Sequence, residues 1–306
     1  MGSEVAYVFP GQGSQTVGMG LDLYKNIPAA KRIFDDADNI LGISLSKICF
    51  EGPDTELTRT INTQPAIFVT SIAALRAAQE GDSGILDGTP AFVAGHSLGE
   101  YTALVASGSL SFEVALNLVR ERGRLMEEAG IQNPGGMAAI LGMDEDAVQA
   151  VCKEADVEIA NINCPGQIAI SGFNDKIAKA MEIAKERGAR RVVQLEVGGA
   201  FHSRLMAPAS DGMAVTVSNV EFQKASIPVV ANSTATAIVT AQEIKDELLR
   251  QLLSPVRWQH SVEYMIHNGV NKFIELGSGN ILTGLIKRTN EDVEVVNLGD
   301  TASIRG

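Results

Sequence analysis

Residues 90–106 read PAFVAGHSLGEYTALVA, an apolar run and a helix-forming run joined by the pentapeptide GHSLG. The order strand, sharp turn, helix around a G-x-S-x-G string predicts a nucleophile elbow, in which small residues allow a strained turn that projects Ser97 above the sheet edge. The first N–H groups of the following helix lack partners within the helix, so they can stabilise a developing oxyanion. A G-x-S-x-G string can arise by chance in a chain with 30 glycines, so the flanking runs carry the prediction.

Composition suits a folded α/β protein and excludes several other classes. The chain has 306 residues, 45% hydrophobic and 20% charged, enough for one large or two modest domains. No apolar run approaches a membrane span and no secretory signal is present, so we expect a cytoplasmic protein without membrane attachment. A net charge of −12 disfavours binding to nucleic acid or anionic lipid. Three cysteines without C-x-x-C spacing indicate ordinary thiols, and no metal site is expected.

Short β-rich runs alternate with helical runs, an order that predicts an α/β fold with a mostly parallel sheet. The first predicted strand covers residues 5–9 and ends in a glycine-rich turn at residues 10–15. This turn lacks the Lys-Ser/Thr ending of a phosphate loop and departs from G-x-G-x-x-G at Thr16, so we reject nucleotide binding. It lies at the carboxyl end of a strand, where open α/β sheets build their sites, and it can face the serine elbow.

Residues 135–196 follow a different rhythm. The patterns predict a strand, a helix, two strands, a helix and a strand at 137–141, 144–154, 157–162, 167–171, 175–187 and 191–195. This β-α-β-β-α-β order is that of a ferredoxin-like insertion. We therefore predict a discontinuous large domain, residues 1–130 and 197–306, and a small domain, residues 131–196, with the active site in the crevice between them.

Arg122 lies on the apolar stripe of a helix that the pattern predicts over residues 112–128. Leu118 and Met126 stand four residues before and after it on the same stripe. A buried guanidinium without a partner is strongly destabilising, so an anionic group should meet it. An internal Asp or Glu would satisfy it, as would a head group that reaches solvent. A planar, permanently charged fork is also what a site uses to bind a substrate carboxylate, so Arg122 is a candidate binding residue.

Ser97 needs a general base, and the chain has four histidines. His96 ends the predicted strand, so its side chain should project away from Ser97. His260 and His267 lie on an amphipathic run typical of a helix surface or a satisfied core position. His202 lies in a glycine-led loop before a helical run, and this loop placement is the only ground that favours it.

Two kinds of group can orient His202. Asp and Glu residues between Ser97 and His202 leave a Ser-Asp-His triad open. A backbone carbonyl can do the same. Gln251 is a candidate donor of that carbonyl because it lies in the last turn of a helix predicted over residues 242–253, where carbonyls lack internal partners.

Six motifs resemble those of the malonyl-CoA:acyl carrier protein transacylase family, in the same order and spacing from Val5 to about Gly299. They are Phe-Pro-Gly-Gln-Gly-Ser-Gln at 9–15, Gly-His-Ser-Leu-Gly-Glu-Tyr at 95–101, Val-Arg-Glu-Arg-Gly at 119–123, Pro-Gly-Gln at 165–167, Phe-His-Ser at 201–203 and Gln-Leu-Leu-Ser-Pro-Val-Arg-Trp at 251–258. The resemblance covers nearly the whole chain. It implies an α/β-hydrolase-like large domain with a parallel sheet, a ferredoxin-like small domain, and a serine acyltransferase of type II fatty acid synthesis.

The resemblance also implies roles for individual residues. Ser97 would be the nucleophile, His202 the base, and the Gln251 backbone carbonyl the group that orients the base. The backbone N–H groups of Gln12 and Leu98 would form the oxyanion hole. Substrate binding would fall to Arg122, which would hold the malonyl carboxylate, and to Met126, Phe201, Asn163 and His96 in supporting positions.

Phe201 carries a finer expectation. In related polyketide acyltransferases, a Phe next to the histidine accompanies the use of malonyl over methylmalonyl groups, and a ring against the α-carbon is a plausible reason. A methyl clash of this type gives preference and not absolute exclusion. The alternative is a Phe that simply packs an interface. The family motif often carries His where this chain has Gly199, which leaves the neighbouring pocket shape open.

The implied reaction is a ping-pong transfer of malonyl from malonyl-CoA to the phosphopantetheine thiol of acyl carrier protein through a malonyl-serine. It needs no metal or redox cofactor, and we expect a monomer that binds CoA and the carrier protein. Two other classes stay open. A serine esterase or thioesterase uses the same elbow and histidine. A noncatalytic subunit that binds carrier protein could keep the fold without the chemistry.

Overall fold

The computed structural model describes residues 4–81, 86 and 88–305. Its strands are β1 Glu4–Phe9, β2 Phe92–Gly95, β3 Gly135–Leu141, β4 Glu158–Cys164, β5 Gln167–Phe173, β6 Arg191–Leu195, β7 Val229–Val230, β8 Ala237–Ile238, β9 Val270–Leu276 and β10 Glu294–Leu298. Its helices are α1 Leu21–Asn26, α2 Pro28–Leu41, α3 Leu45–Glu51, α4 Asp54–Leu57, α5 Thr60–Glu80, α6 Gly99–Ala106, α7 Phe112–Gln132, α8 Glu145–Ala155, α9 Asn174–Glu186, α10 Ala207–Ser218, α11 Ala241–Gln251, α12 Trp258–His267, α13 Ile281–Thr289 and α14 Thr301–Arg305, with a 3-10 turn at Arg204–Met206.

The larger sheet has the strand order β10-β9-β1-β2-β7-β8, and only the β7–β8 pair is antiparallel. Strand β1 is central and buried along most of its length because its Ala, Tyr, Val and Phe side chains pack on both faces. The register pairs Phe9 with Gly95, so the turn after β1 and the serine elbow after β2 leave the sheet side by side. The predicted α/β fold with a mostly parallel sheet is confirmed.

The second sheet has the order β4-β5-β3-β6, and all its pairs are antiparallel. Helices α8 and α9 pack together on it around a separate apolar cluster, which includes Ile140, Val148, Ile170 and Ile177. The chain order is therefore β-α-β-β-α-β, and the six predicted elements match the observed ones within two residues at each end.

The edge of this second sheet is joined to the rest of the chain. In β4, Ile162 N–H donates to the carbonyl of Val256 at 2.9 Å, and Val256 N–H donates to the carbonyl of Ala160 at 2.8 Å. The bridge fixes the second sheet beside the segment between α11 and α12, and a cleft lies between the two sheets. None of the helices in the described part of the chain combines the length and the apolar character that crossing a bilayer requires.

Candidate active site

The serine elbow has the strained backbone that its sequence predicts. Ser97 has a φ of 51°, in the left-handed region that residues other than glycine seldom adopt. The flanking glycines are sterically required. A Cβ added at Gly95 would lie 1.9 Å from the carbonyl carbon of Gly99, and one added at Gly99 would lie 2.1 Å from the carbonyl oxygen of Phe9. The turn therefore packs against itself and against the end of β1.

The structure brings His202 to Ser97. The two side chains meet with 2.8 Å between Nε2 and Oγ, and Nδ1 of His202 lies 3.0 Å from the carbonyl oxygen of Gln251. A carbonyl only accepts, so Nδ1 carries the proton and Nε2 is free to accept the serine proton. No carboxylate of the described residues contacts this histidine, so the arrangement is a dyad with a carbonyl in the third place.

Burial and charge keep His202 neutral. The residue is 4% exposed, and burial, with Arg122 nearby, lowers the pKa of its imidazole to about 3. His202 also has a positive φ, 57°, so both residues of the dyad stand on unusual backbone conformations. The ring is therefore a free base at neutral pH and is held in place by its surroundings.

Arg122 lies directly behind the serine and is 1% exposed. Its Nη2 donates to Ser97 Oγ at 3.1 Å and to Gln251 Oε1 at 3.0 Å, and its Nη1 donates to Gln64 Oε1 at 2.8 Å. The guanidinium also stacks near the Tyr101 ring, 5.6 Å from its centroid. It forms no ion pair with an Asp or Glu among the described residues, so neither alternative from the sequence holds: Arg122 has no internal carboxylate partner and does not reach solvent.

Gln251 joins the parts of the site. Helix α11 ends at Gln251. The backbone carbonyl of Gln251 accepts from His202, and its side-chain Oε1 accepts from Arg122. The side-chain Nε2 donates to the Ser97 carbonyl at 3.0 Å and to the carboxyl group of Glu100. The sequence predicts only the carbonyl contact, because nothing in a helical pattern indicates where a buried glutamine side chain points.

Asn232 is a site residue that no sequence pattern indicates. Its Oδ1 accepts the Ser97 N–H at 2.6 Å, and its Nδ2 donates to the Gly95 carbonyl at 2.7 Å. Its own N–H donates to the carboxyl group of Glu100 at 3.3 Å. Asn232 thus ties both sides of the elbow, and it follows the two-residue strand β7, which is too short to leave a pattern.

A cleft of about 380 Å³ opens at the serine. Gln12, His96, Met126 and Phe201 lie on its wall, together with Ser97, His202 and Ile281. The predicted oxyanion donors are open to a ligand: neither the Gln12 N–H nor the Leu98 N–H has a hydrogen-bond partner among the described residues.

Asn163 stands behind His96 and not on the cleft wall. Its Oδ1 is 2.9 Å from His96 Nε2, and burial lowers the pKa of the His96 imidazole. The His96 ring also packs near Trp258. No His96 contact to the Ser97 side chain is present, so among the histidines only His202 is placed to act on the serine. In the described ranges, no group of three or more His, Cys, Asp or Glu side chains is arranged to bind a metal ion.

Comparisons with known proteins agree over nearly the full chain. Residues 6–303 match the acyl transferase domain family. A malonyl CoA-acyl carrier protein transacylase of Bacillus subtilis (strain 168) is 47% identical over 99% of this chain and 95% of its own length. One of Staphylococcus aureus (strain MRSA252) is 41% identical over 99% of this chain and 98% of its own.

Solved structures agree as well. An acyl carrier protein S-malonyltransferase from Vibrio cholerae superposes with a TM-score of 0.94 at 42% identity, covering 99% of both chains. A malonyl-transacylase solved in complex with its type II PKS acyl-carrier protein gives 0.94 at 40% identity, covering 99% of this chain and 98% of that one.

Proposed function

We propose a catalytic mechanism from the premise that this chain belongs to the acyl transferase domain family. It is an acyltransferase that moves malonyl from malonyl-CoA to acyl carrier protein for fatty acid synthesis. The carrier protein is its partner.

In the first half-reaction, Ser97 Oγ attacks the thioester carbonyl of malonyl-CoA. Its proton passes to His202 Nε2, which lies 2.8 Å away. The tetrahedral intermediate then breaks its C–S bond, and the departing CoA sulfur takes the proton back from His202. The product is a malonyl-serine ester and free CoA thiol.

In the second half-reaction, the phosphopantetheine thiol of the carrier gives its proton to His202 and attacks the ester carbonyl. The bond from that carbonyl carbon to Ser97 Oγ breaks, and the oxygen takes the proton from His202. Ser97 and His202 return to their starting states. The Gln251 carbonyl accepts from Nδ1–H of His202 through both half-reactions. Nδ1 therefore stays protonated, and only Nε2 gains and loses the transferred proton.

The backbone N–H groups of Gln12 and Leu98 would stabilise the oxyanion. Neither N–H has a hydrogen-bond partner in the described ranges, and the register of β1 and β2 brings their two turns together at the serine. Losing one such donor typically costs about 2.7 to 4 kcal/mol of transition-state stabilisation.

Arg122 would bind the malonyl carboxylate. Three of its N–H groups are engaged, and Nε has no hydrogen-bond partner among the described residues. Acylation converts Ser97 Oγ from a hydroxyl to an ester oxygen, a weaker acceptor, and so releases one Nη2 hydrogen toward the carboxylate. We propose Met126, Phe201 and His96 as residues that shape the acyl site, and Asn163 as the residue that orients His96.

We also propose that the larger sheet and its helices form an α/β-hydrolase-like domain, residues 1–130 and 197–306, and that residues 131–196 form a ferredoxin-like insertion. The strand orders support this division over the described residues, which leave out 1–3, 82–85, 87 and 306. The two half-reactions balance without a metal or redox cofactor, so the proposal includes neither. We further propose that the protein is a monomer and that it is located in the cytoplasm.

The observation that carries this mechanism is the contact of Ser97 Oγ with both His202 and Arg122. The test is to incubate the protein with radiolabelled malonyl-CoA, with and without carrier protein, beside Ser97→Ala. We expect a covalent label on the wild type only, and transfer of that label to the carrier. Absence of label would overturn the mechanism. Label that appears as free malonate at the same rate with or without carrier would instead identify a hydrolase.

A further inference from the structure

The positive charge of Arg122 is fixed in place by neutral groups. Its guanidinium is buried, and the oxygens that accept from Nη1 and from the second Nη2 hydrogen belong to two amides, Gln64 and Gln251. A buried arginine is ordinarily paired with a carboxylate, because an unpaired buried charge is strongly unfavourable. Here the charge has hydrogen bonds to neutral groups and, within the described part of the chain, no ion pair with a carboxylate.

Gln64 is held in one orientation. It lies in α5, is 1% exposed, and donates from Nε2 to the sulfur of Met126 at 3.1 Å while Oε1 accepts from Arg122. A flipped amide would place its NH₂ group against a guanidinium N–H, donor against donor, so the hydrogen-bond network assigns the orientation. Met126, on the wall of the acyl cleft, therefore also determines which end of Gln64 faces the arginine.

Glu100 interacts electrostatically with Arg122 but forms no hydrogen bond or ion pair with it. Glu100 is fully buried and bonds to the Gln251 Nε2 and to the Asn232 N–H. Its burial, with Glu247 nearby, raises the pKa of Glu100 well above its usual range, and each of its carboxyl oxygens accepts one of these two N–H donors. The surroundings of Arg122 thus combine fixed geometry with a positive charge that no carboxylate of the described residues contacts.

We infer that Gln64 is a specificity-determining positioning residue: it anchors Arg122 by a neutral oxygen, so that the charge stays available for an acyl group that carries a carboxylate. The inference rests on the proposed function of Arg122 and extends it. A substrate carboxylate supplies the missing counter-charge, whereas an acetyl group leaves the arginine as it was. An anchoring carboxylate at position 64 would give the same geometry and remove this advantage.

The test compares Gln64→Glu with Gln64→Leu. Q64E keeps the size and the accepting oxygen and adds a negative charge, while Q64L removes the hydrogen bond and adds none. The rates of Ser97 acylation by malonyl-CoA and acetyl-CoA give the ratio of the two kcat/KM values for each protein. We expect Q64E to lower the malonyl-to-acetyl ratio by about 10- to 100-fold, as expected when a charged hydrogen bond loses its advantage.

Q64L removes one anchor of Arg122 but leaves its full charge, so it should lower the ratio by clearly less than Q64E does. Equal ratios for Q64E and the wild type would overturn the inference, and so would equal losses of the ratio in Q64E and Q64L. If Q64E does not fold, Gln64→Asp compared with Gln64→Asn carries the same test, because the two variants have the same size and differ in charge. A wild type that forms no acyl-serine with either substrate would refute the proposed function itself.

Discussion

The guanidinium of Arg122 donates to the hydroxyl of Ser97, with 3.1 Å between Nη2 and Oγ. The residue that would recognise the acyl group therefore touches the atom that would carry it. When malonyl is esterified to Ser97, its carboxylate would lie close to the Arg122 guanidinium, which is already in contact with the serine. One hydrogen bond therefore joins the residue proposed for substrate choice to the residue proposed for covalent chemistry.

Replacing Arg122 with Ala should remove the preference for malonyl. Loss of a hydrogen bond to a charged group costs about 1.5 to 3 kcal/mol, so malonyl kcat/KM should fall by about 10- to 150-fold relative to acetyl. Acylation rates with both CoA esters measure the change. Arg122→Lys is the control, because it keeps the charge and loses the planar fork. Its malonyl-to-acetyl ratio should lie between those of the wild type and Arg122→Ala. Equal losses with both esters would contradict the assignment.

The pH dependence of acylation should lack the usual histidine step. A His202 whose pKa is lowered to about 3 stays neutral above that value, so the base is available on both sides of the ordinary histidine pKa of about 6.5. Rapid-quench acylation should be flat from about pH 5.5 to 7.5. Arg122→Ala removes one cause of the lowering, so with acetyl-CoA its acid limb should move to higher pH. A wild-type step near pH 6.5 would refute this account.

Asn232→Ala should damage the elbow without changing substrate choice. It leaves the buried Gly95 carbonyl unpaired, at about 1 to 3 kcal/mol of stability, and the part-buried Ser97 N–H unpaired at a smaller cost. Urea unfolding and acylation with both esters should show lower stability and equal losses for malonyl and acetyl.

A matched control for this variant lies at the far end of α6. Ser226→Ala removes one partly buried hydrogen bond, from Ser226 Oγ to the Ser107 carbonyl at 2.7 Å. It should lower stability and leave the acylation rate of the folded protein unchanged. An Asn232→Ala protein that acylates at the wild-type rate would show that the elbow does not need the clamp.

Phe201→Ala should admit methylmalonyl more readily. Phe201 is 5% exposed and lies on the cleft wall, so removing its ring makes room beside the acyl group. A methyl group in such a pocket is worth about 1 to 3 kcal/mol, which sets the expected gain in the methylmalonyl-to-malonyl ratio. Phe222→Ala, a buried Phe away from the cleft, controls for lost packing and should leave the ratio alone. No change in either variant would make Phe201 a packing residue only.

The parts of the fold with regular periodicity could be predicted from the sequence. The elements of 135–196 alternate cleanly, and the observed bounds follow the predicted ones. The elbow was also predictable, because glycines on both sides of Ser97 leave few other backbone options. Strands β7 and β8 have two residues each and leave no pattern, so the loop that carries Asn232 could not be recognised.

The buried polar residues of the site were harder to predict for a physical reason. Helix α5 is buried on nearly all sides, so Gln64 stands among apolar residues without an amphipathic stripe to mark its direction. Glu100, in the first turn of α6, is typical of an exposed helix start and is instead fully buried. Their roles depend on contacts across more than 50 residues of chain, such as that of Gln64 with Arg122.

Because Ser97 and His202 both have left-handed backbone conformations, the rate of acyl transfer should depend on how tightly the loops around them are packed. Neither residue prefers its φ, so the contact between Oγ and Nε2 persists only while the surrounding loops are held in place. Mild denaturant that loosens those loops would let both backbones relax and part the two atoms while the helices remain intact. Catalytic activity should therefore disappear before the far-ultraviolet circular dichroism changes, and it reports on the junction of the two sheets and not on secondary structure.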